Sequence, residues 1–284
     1  MFKKQNSIAT SKASRVGKNI ISILMLLYTS IAVYLIGNTV ISSFKTKSDL
    51  IYNTFGWPKV FTLEAYKKIF LQDNFGRYFS NSIILVALGL TMLLLVSTMV
   101  AYGLSRFKFK SREFLKIYFL IGLMFPIQLG ILPLFVMLNK LNLTNNLFGV
   151  ALLYTANMSF PVFVFTKFFR AQPASLIEAA RIDGAGEFRI FWQIVLPIAK
   201  PVLFTIGIIN LVVIWNDFYI PLVFLTKKSV WTLTLAVYTY KGDFLANWDL
   251  VFAAVTIALV PVVILFLFFS KYIIAGITAG SIKE

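Results

Sequence analysis

Six apolar stretches, each about as long as a bilayer is thick, constrain the fold of this chain more than any other feature. They run over residues 20–41, 79–104, 114–138, 147–169, 201–225 and 250–274. In lipid, the backbone N–H and C=O groups find no water, so such stretches cross as helices, in which these groups pair internally. The sequence therefore predicts an all-α polytopic membrane protein with six transmembrane helices.

The composition excludes several other classes. The mean hydropathy is +0.83, 13% of the residues are charged, and there is no Cys or His. Disulfides, the usual zinc sites, thiol nucleophiles and Ser-His-Asp catalysis are therefore absent. An intramembrane enzyme would need other catalytic groups inside the spans, and the one acid there is Asp217. We therefore predict a non-catalytic chain with no metal site.

The positive charge of the chain is arranged to orient helices and not to bind nucleic acid. The net charge is +16, but the Lys and Arg residues occur in short tracts beside apolar runs. The tail before the first run carries five basic residues and no acid, and the run lacks a clear cleavage site, so we expect a retained span. The short loops of the tail's side are also basic, whereas the lysine-rich first loop is long and contains acids. The pattern predicts a plasma-membrane protein with both termini in the cytoplasm.

A polar stretch, EAARIDGAGEFRIFWQIVLP (178–197), separates the fourth and fifth runs on the predicted cytoplasmic side. Pro173 suits the first turn of a helix, and ASLIEAARI continues it. Gly184 can take the left-handed backbone that ends a helix, and Glu187 begins a second one. The second helix is expected to end at the prolines 197 and 201, and its spacing predicts one apolar face formed by Phe188, Phe191, Trp192 and Val195.

The segment 173–198 is called the elbow below, and two roles are open to it. It could rest among lipid headgroups as an amphipathic interfacial helix, or it could dock into another protein. Ala179 and Ala180 would give one helix face little bulk, so that it could enter a cleft. Glu178 and Arg181 could pair with each other or with charges on a partner.

The spacing of the elbow favours docking. Glu-Ala-Ala, three residues, Gly, nine residues and then Ile-x-Leu-Pro resembles the signature of the inner-membrane permease subunits of binding-protein-dependent ABC importers. Three further segments, 81–113, 215–225 and 272–284, are similar to maltose-type carbohydrate permeases, the last to the tail of the smaller permease of the pair. The resemblance implies coupling to an ATPase through Glu178, Ala179, Ala180, Arg181, Asp183, Gly184, Ile194, Leu196 and Pro197.

The resemblance also implies a fold and a set of partners. The fold would be that of a type I ABC importer permease with cytoplasmic coupling helices. The partners would be a second, homologous permease, two ATPase subunits, an extracellular solute-binding protein and a sugar, with ATP and Mg held by the ATPase and no cofactor in this chain. The tail would contact the ATPase through Thr278, Ala279 and Gly280. The implied division is a cytoplasmic tail (1–18), a first span and extracellular loop (19–78), a core (79–274) and a C-terminal tail (275–284).

Polar residues inside the spans are candidates for the solute path, because they are costly in lipid unless they face a cavity. Asn210 and Asp217 share a helix face, and Trp215 and Asn216 lie nearby. Gln128 and Asn157 are further candidates, beside prolines that permit bending. Aromatic rings, amides and carboxylates suit a sugar, although the same residues could be interfacial or could bridge helices.

Other assignments stay open at this point. The elbow does not separate a sugar permease from one for phosphate, polyamines or amino acids. A secondary transporter or channel fits the topology, but the sequence has neither similar halves nor a midplane ion pair. The segment 230–248, in the loop after the fifth span, has the hydrophobic and β-branched character of a partly ordered surface segment, and the family resemblance implies that this loop faces the binding protein.

Overall fold

Helices form every regular element in the part of the chain that the computed structural model describes, residues 12–240 and 247–279. The described chain divides into two compact units, one made of 12–68 with 247–256 and one made of 69–240 with 257–279. The helices are α1 (Lys12–Ser42), α2 (Lys47–Tyr52), α3 (Glu64–Gln72), α4 (Phe75–Arg106), α5 (Arg112–Gly122), α6 (Ile131–Lys140), α7 (Leu147–Ala156), α8 (Ser159–Ala171), α9 (Ser175–Ile182), α10 (Glu187–Ile190), α11 (Leu196–Ile198), α12 (Lys200–Asn216), α13 (Tyr219–Phe224), α14 (Leu233–Thr239) and α15 (Trp248–Ala279).

The first unit joins the long apolar helix α1 to a small polar cluster. The Lys45 side chain is buried, and its Nζ donates to the carbonyls of Asn53 (2.8 Å) and Thr54 (3.0 Å), which would otherwise lack partners at the end of α2. The backbone N–H of Lys59 donates to the Asp49 carboxylate (2.9 Å) and thereby lowers the pKa of that carboxyl. The cluster fixes the path of the chain between α1 and α3.

The second unit is organised around α4, which packs against α7, α8 and α12. One apolar core gathers around Leu85 and Tyr154 of α4 and α7, and a second gathers around Tyr102 and Phe165 of α4 and α8. Leu85 and Tyr102 are 17 positions apart on one continuous helix, a rise of about 25 Å. The two cores therefore lie toward opposite ends of this unit, and the elbow belongs to the second.

The predicted spans are present, and the third and the fourth of them are bent. By length and composition three helices can cross a membrane, and six spans result if each bent pair is one span. The third predicted span is α5 and α6, joined at 96° through a turn that contains Pro126. The fourth is α7 and α8, joined at 51° beside Asn157. These bends lie next to the prolines that the sequence marked as sites of bending.

The ends of two predicted spans differ from expectation. The fifth was expected to reach Leu225, but α12 ends at Asn216 and a separate short helix, α13, follows. Asp217 leaves the helical conformation, and its carboxylate accepts from the Tyr219 N–H (2.8 Å), which starts the new helix. The sixth was expected to end at Ile274, but α15 continues to Ala279.

Candidate functional site

The first arm of the elbow is α9, and it ends as the glycine predicts. Gly184 has a φ of +79°, and no atom lies within 4 Å of the position that a Cβ would take. The Ala185 N–H donates to the Ala180 carbonyl (3.0 Å), a bond that closes a helix around a left-handed residue. Pro173 lies two residues before α9 and not within its first turn. The turn at Gly184 sends the chain back toward α4.

The second arm runs through a π-helical turn at Phe191–Val195, between α10 and α11. The Leu196 N–H donates to the Phe191 carbonyl, five residues back, instead of to the usual fourth. Pro197 follows, which has no N–H to give and whose ring would crowd the carbonyl of Gln193 in a regular helix. The chain breaks at Ala199 with a bend of 75°, between the two prolines, and α12 then begins. The second arm therefore leads directly into the fifth span.

The predicted apolar face of the second arm is wrong for two of its four residues. Phe191 and Val195 are buried as expected, together with Ile190, but Phe188 and Trp192 are exposed, and their rings lie 6.0 Å apart with a tilt of 58°. Four residues at this spacing span about 100° of an α-helix, and the core lies on the side of Ile190 and Phe191, so Phe188 and Trp192 come at the exposed edge of the stripe. Two aromatic rings therefore lie on the outer surface of the elbow.

The two arms are joined to each other and to α4 by one carboxylate. Glu187 accepts from the Arg181 Nε (2.8 Å) and from the Tyr102 hydroxyl (2.7 Å), which comes from a residue 85 positions earlier. Arg181 was expected to pair with Glu178 or with a partner, but it pairs with Glu187. The Tyr102 ring also packs against Phe191 (5.7 Å) and edge-on against Phe169 (6.4 Å). Tyr102, Arg181 and Glu187 are called the elbow clamp below.

Arginine side chains hold the neighbouring helix ends. The Arg106 guanidinium donates to the carbonyls of Phe169 (2.6 Å) and Gln172 (3.0 Å) at the end of α8. Arg112 donates through Nε to the Leu104 carbonyl (2.9 Å) and through a terminal nitrogen to the Ser105 carbonyl (3.0 Å), at the end of α4. Cations favour helix C-termini, where carbonyls lack partners. These hydrogen bonds therefore hold in place the ends of α4 and α8 that lie beside the elbow.

The predicted coupling residues divide between surface and interior. Glu178, Ala179, Asp183 and Gly184 are exposed, whereas Ala180 is buried against the core, so the thin face expected for both alanines is formed by Ala179 alone. Three others lie along the second arm: Ile194 and Leu196 are half-buried and Pro197 is exposed.

Two exposed apolar residues lie on the outer side of the elbow: Ile182, which sequence reasoning missed, and Phe188, which it had assigned to the apolar face of the second arm. Ile182 is 86% exposed and Phe188 is 73% exposed. Ile182 lies five positions after the buried Ile177, which is the opposite side of a helix, so helical spacing could have identified it. The outer face formed by Glu178, Ala179, Ile182, Asp183 and Phe188 is called the elbow surface below.

Four of the polar residues proposed for the solute path already have partners within the chain. Trp215 is buried, and its Nε1 donates to the Ala258 carbonyl (3.0 Å). The Asp217 carboxylate accepts from the Tyr154 hydroxyl (2.9 Å) besides the Tyr219 N–H. Asn210 and Asn216 each donate to the carbonyl four residues before, at 2.9 Å. Through these hydrogen bonds all four side chains have a structural role in the fifth span.

The other two candidates lie at the bends of the third and fourth spans. Gln128 is exposed in the turn before α6, and Asn157 is exposed at the break between α7 and α8. Asn157 lines a cleft of about 570 Å³ between the two bends, which is also lined by Ser159 and by three aromatic rings, those of Tyr118, Phe119 and Phe125. An amide and a hydroxyl among aromatic rings are groups that can hold a sugar.

The segment after α13 is better fixed than the sequence suggests. Leu233 and Leu235 are buried, and the Asn81 side-chain amide donates to the carbonyls of Ser229 (3.1 Å) and Trp231 (2.9 Å). The Leu233 N–H donates to the Ser82 hydroxyl (2.8 Å). The part up to residue 240 is thus bound to the start of α4. The predicted tail contacts Thr278 and Ala279 end α15, and Gly280 lies outside the described residues.

Long apolar helices and bent helix pairs that can cross a membrane, with a helical elbow at one end, define a polytopic membrane protein. A family model described as the inner membrane component of binding-protein-dependent transport systems matches residues 93–278. The chain belongs to this family.

Relatives of known name support this membership along almost the whole chain. The diacetylchitobiose uptake system permease NgcG of Streptomyces coelicolor is 34% identical over 92% of this chain and 87% of its own length. The multiple sugar-binding transport system permease MsmG of Streptococcus mutans is 36% identical over 86% of this chain and 90% of its own. The arabinooligosaccharides permease AraQ of Halalkalibacterium halodurans is 35% identical over 89% and 92%.

A solved structure shares the fold. A chain in the crystal structure of a bacterial ABC transporter involved in the import of the acidic polysaccharide alginate superimposes with a TM-score of 0.81, at 24% identity, over 92% of this chain and 98% of that one. The protein therefore has the type I ABC importer permease fold that the elbow signature implied.

The elbow clamp gives a direct test of how the elbow is mounted. Tyr102→Phe removes the hydroxyl that binds Glu187 and leaves the ring packing in place, so we expect looser attachment, by about 1 kcal/mol. Amide hydrogen exchange over residues 177–190 should become about fivefold faster. Tyr118→Phe is the matched control, because Tyr118 is an exposed residue of α5. Equal exchange in both variants would show that the hydroxyl does not hold the elbow.

Proposed function

We propose that this chain is one permease subunit of an ATP-driven, binding-protein-dependent importer that carries a sugar, and specifically an oligosaccharide, across the plasma membrane. The observation that carries the proposal is the elbow. Its signature spacing is complete, and the elbow is held to α4 by the hydrogen bonds of the elbow clamp while the elbow surface is exposed. In this role the chain makes and breaks no covalent bonds. ATP and Mg are bound by partner ATPase subunits.

The elbow surface has the chemistry of a docking site. Ile182 and Phe188 supply apolar area, Glu178 and Asp183 supply charge beside it, and Ala179 and Gly184 let a partner approach the backbone. Apolar groups ringed by charge are characteristic of protein interfaces. Arg181 belongs to the elbow clamp and is not counted in the elbow surface, because its guanidinium is paired with Glu187. We infer that an ATPase subunit covers this surface.

The anchoring of the elbow explains how docking can move the spans. Glu187 joins the elbow to α4, Arg106 joins α4 to the end of α8, and the second arm continues into α12 after Ala199. A displacement of the elbow surface therefore acts on the second, fourth and fifth spans together. Coupling requires that the two states of the ATPase contact two arrangements of this assembly differently. The bends within the third and fourth spans, and the bend at Ala199 before the fifth, offer places for such a rearrangement.

The remaining partners follow from the same proposal. A second, homologous permease completes the path as a heterodimer, two ATPase subunits bind the two elbows, and an extracellular solute-binding protein delivers the sugar. Both termini and the elbow then face the cytoplasm, in agreement with the basic short loops.

The sugar assignment rests on two observations. Three relatives that each match more than four fifths of the chain, NgcG, MsmG and AraQ, are named for oligosaccharide or sugar transport. The cleft at Asn157 places an amide and a hydroxyl beside three aromatic rings. We infer that this cleft, and not the fifth-span cluster at Trp215 and Asp217, offers the sugar contacts of this chain.

The docking role of the elbow is tested by copurification. The tagged chain is isolated from its native membrane in mild detergent, and its companions are identified by mass spectrometry. Glu178→Lys reverses an exposed charge at the centre of the elbow surface, so we expect the ATPase to be reduced at least about tenfold while the second permease is retained.

The control for this experiment is Glu64→Lys, which makes the same charge reversal at an exposed site in the first turn of α3. It should leave both companions in place. Recovery of the chain without any ATPase, or full ATPase recovery with Glu178→Lys, would overturn the docking proposal.

The sugar cleft is tested by uptake kinetics. Asn157→Ala removes the amide from the cleft, and the loss of hydrogen bonding to a sugar hydroxyl should raise the KM for transport about fivefold or more. Asn216→Ala is the control, because that amide is exposed and bound to the Val212 carbonyl. The assay uses radiolabelled oligosaccharides of the kinds named for the relatives. An unchanged KM for Asn157→Ala would remove the cleft from the path.

The C-terminal contact is tested by deletion. Removing 277–284 takes away Thr278, Ala279 and Gly280, which we propose reach the ATPase. ATP turnover of the assembled importer should fall several-fold while the ATPase still copurifies, because the elbow is intact. Unchanged turnover would exclude a role for the tail in the ATPase cycle.

A further inference from the structure

A cavity between the third and fourth spans combines apolar walls with an unbalanced group of cations. Its volume is about 170 Å³, several times the ~30 Å³ that one water occupies in the liquid. It lies among α4, α5 and α8, at the same end of these helices as the elbow. Its apolar walls are Leu104, Phe119, Leu120, Val162 and Phe163, and its polar residues are Lys116, Thr166, Lys167 and Arg170.

The charges around this cavity leave a positive excess. Lys116 is paired with Glu113, so one of the three cations is neutralised. The Lys167 Nζ lies 4.9 Å from the centre of the Phe163 ring, a contact that keeps its full charge. Lys167 and Arg170 form no ion pair with any acidic residue that the structure describes. The cavity is therefore suited to an anion.

Thr166 gives an independent sign of a ligand. It is 8% exposed, and its hydroxyl has no hydrogen-bond partner in the described part of the chain. A helical threonine usually donates to the carbonyl four residues before, as Thr98 does to Leu94 (2.7 Å) and Thr155 does to Ala151 (2.9 Å). Because a buried hydroxyl without a partner is costly, this one is available to a group that enters the cavity.

The position of the cavity selects the kind of anion. Lys116 and Arg170 lie near the first turn of α5 and in the last turn of α8, and the surface beside them is apolar, with Ile117 and Leu120 exposed. A free phosphate ion would gain nothing from walls of leucine, valine and phenylalanine, whereas a lipid brings an acyl chain to them. Basic pockets between membrane helices are known to hold anionic headgroups.

We propose that this cavity binds an anionic phospholipid. The phosphodiester is held by Lys167, Arg170 and the Thr166 hydroxyl, and the first part of an acyl chain lies along Phe119 and Leu120. In the orientation proposed above the lipid belongs to the inner leaflet. The lipid cavity shares the Phe119 ring with the sugar cleft, but none of its polar residues lines that cleft or belongs to the elbow surface, so its cations are not used by the transported solute.

The test measures lipid binding and not transport. The purified assembly in neutral detergent is titrated with dioleoylphosphatidylglycerol or with dioleoylphosphatidylcholine, and bound lipid is counted by native mass spectrometry. The wild type should retain phosphatidylglycerol in preference to phosphatidylcholine. Lys167→Gln with Arg170→Gln should weaken phosphatidylglycerol binding about tenfold or more. Thr166→Val, which is nearly isosteric, should weaken it about threefold.

The matched control is Lys108→Gln with Lys110→Gln, which removes two charges from exposed positions in the neighbouring loop between α4 and α5. It should change phosphatidylglycerol binding by less than about twofold, because these exposed lysines contribute only screened surface charge and do not contact the lipid in the cavity. Equal weakening in the two double variants would overturn the proposal in favour of general surface charge.

Three other results would also overturn the lipid proposal. Displacement of bound phosphatidylglycerol by inorganic phosphate at equal concentration would assign the cavity to free anions. Equal retention of the two lipids would show that the cations do not select the lipid. A wild type that retains neither lipid would show that the cavity does not bind lipid in the assembly. Each of these results overturns the lipid site and leaves the transport proposal unaffected.

Discussion

The second unit depends on the side-chain packing of one continuous helix, α4, against α7, α8 and α12. Helices in lipid gain little from the hydrophobic effect between them, so close packing and a few polar contacts hold them together. Leu85 contributes to the core at one end of α4 and Tyr102 to the core at the other. Since α4 is unbroken while its neighbours bend, it provides the fixed reference against which bent spans can shift.

The polar contacts at the two ends of α4 have different consequences. At the elbow end Tyr102 and Arg106 hold the second arm and the end of α8, so a force on the elbow reaches several spans at once. At the other end Asn81 and Ser82 hold the segment 229–233. The same helix therefore fixes the surface proposed to meet the ATPase and the segment expected to face the binding protein. Between them lie the bends, where the backbone is freest to rearrange.

The sequence predicted the spans well because their cause is local. An apolar run of about 20 residues usually crosses a bilayer as a helix, and the six runs fall on α1, α4, the bent pairs α5–α6 and α7–α8, the two helices α12 and α13, and α15. The glycine turn of the elbow was also predictable, since the left-handed φ of Gly184 is a property of a single residue. The misassigned face of the second arm had a different cause: the apolar stripe is about 100° wide, and only its packing against Tyr102 and the second core decides that the edge of Phe191 and Val195 is the buried one.

The sequence by itself thus determined the class of protein, the number and order of the spans, the elbow and its family signature. Only the tertiary structure decided which polar residues are free. Trp215 and Asp217 looked like solute ligands until their partners, Ala258 and Tyr154, were seen to occupy them. The elbow clamp could not be predicted either, because hydrogen bonds between residues 63 or 85 positions apart leave no periodic pattern in a single sequence. The same is true of the Thr166 hydroxyl, whose lack of a partner in the described part of the chain depends on how α8 packs. Contacts of this kind arise from packing, which local spacing does not encode.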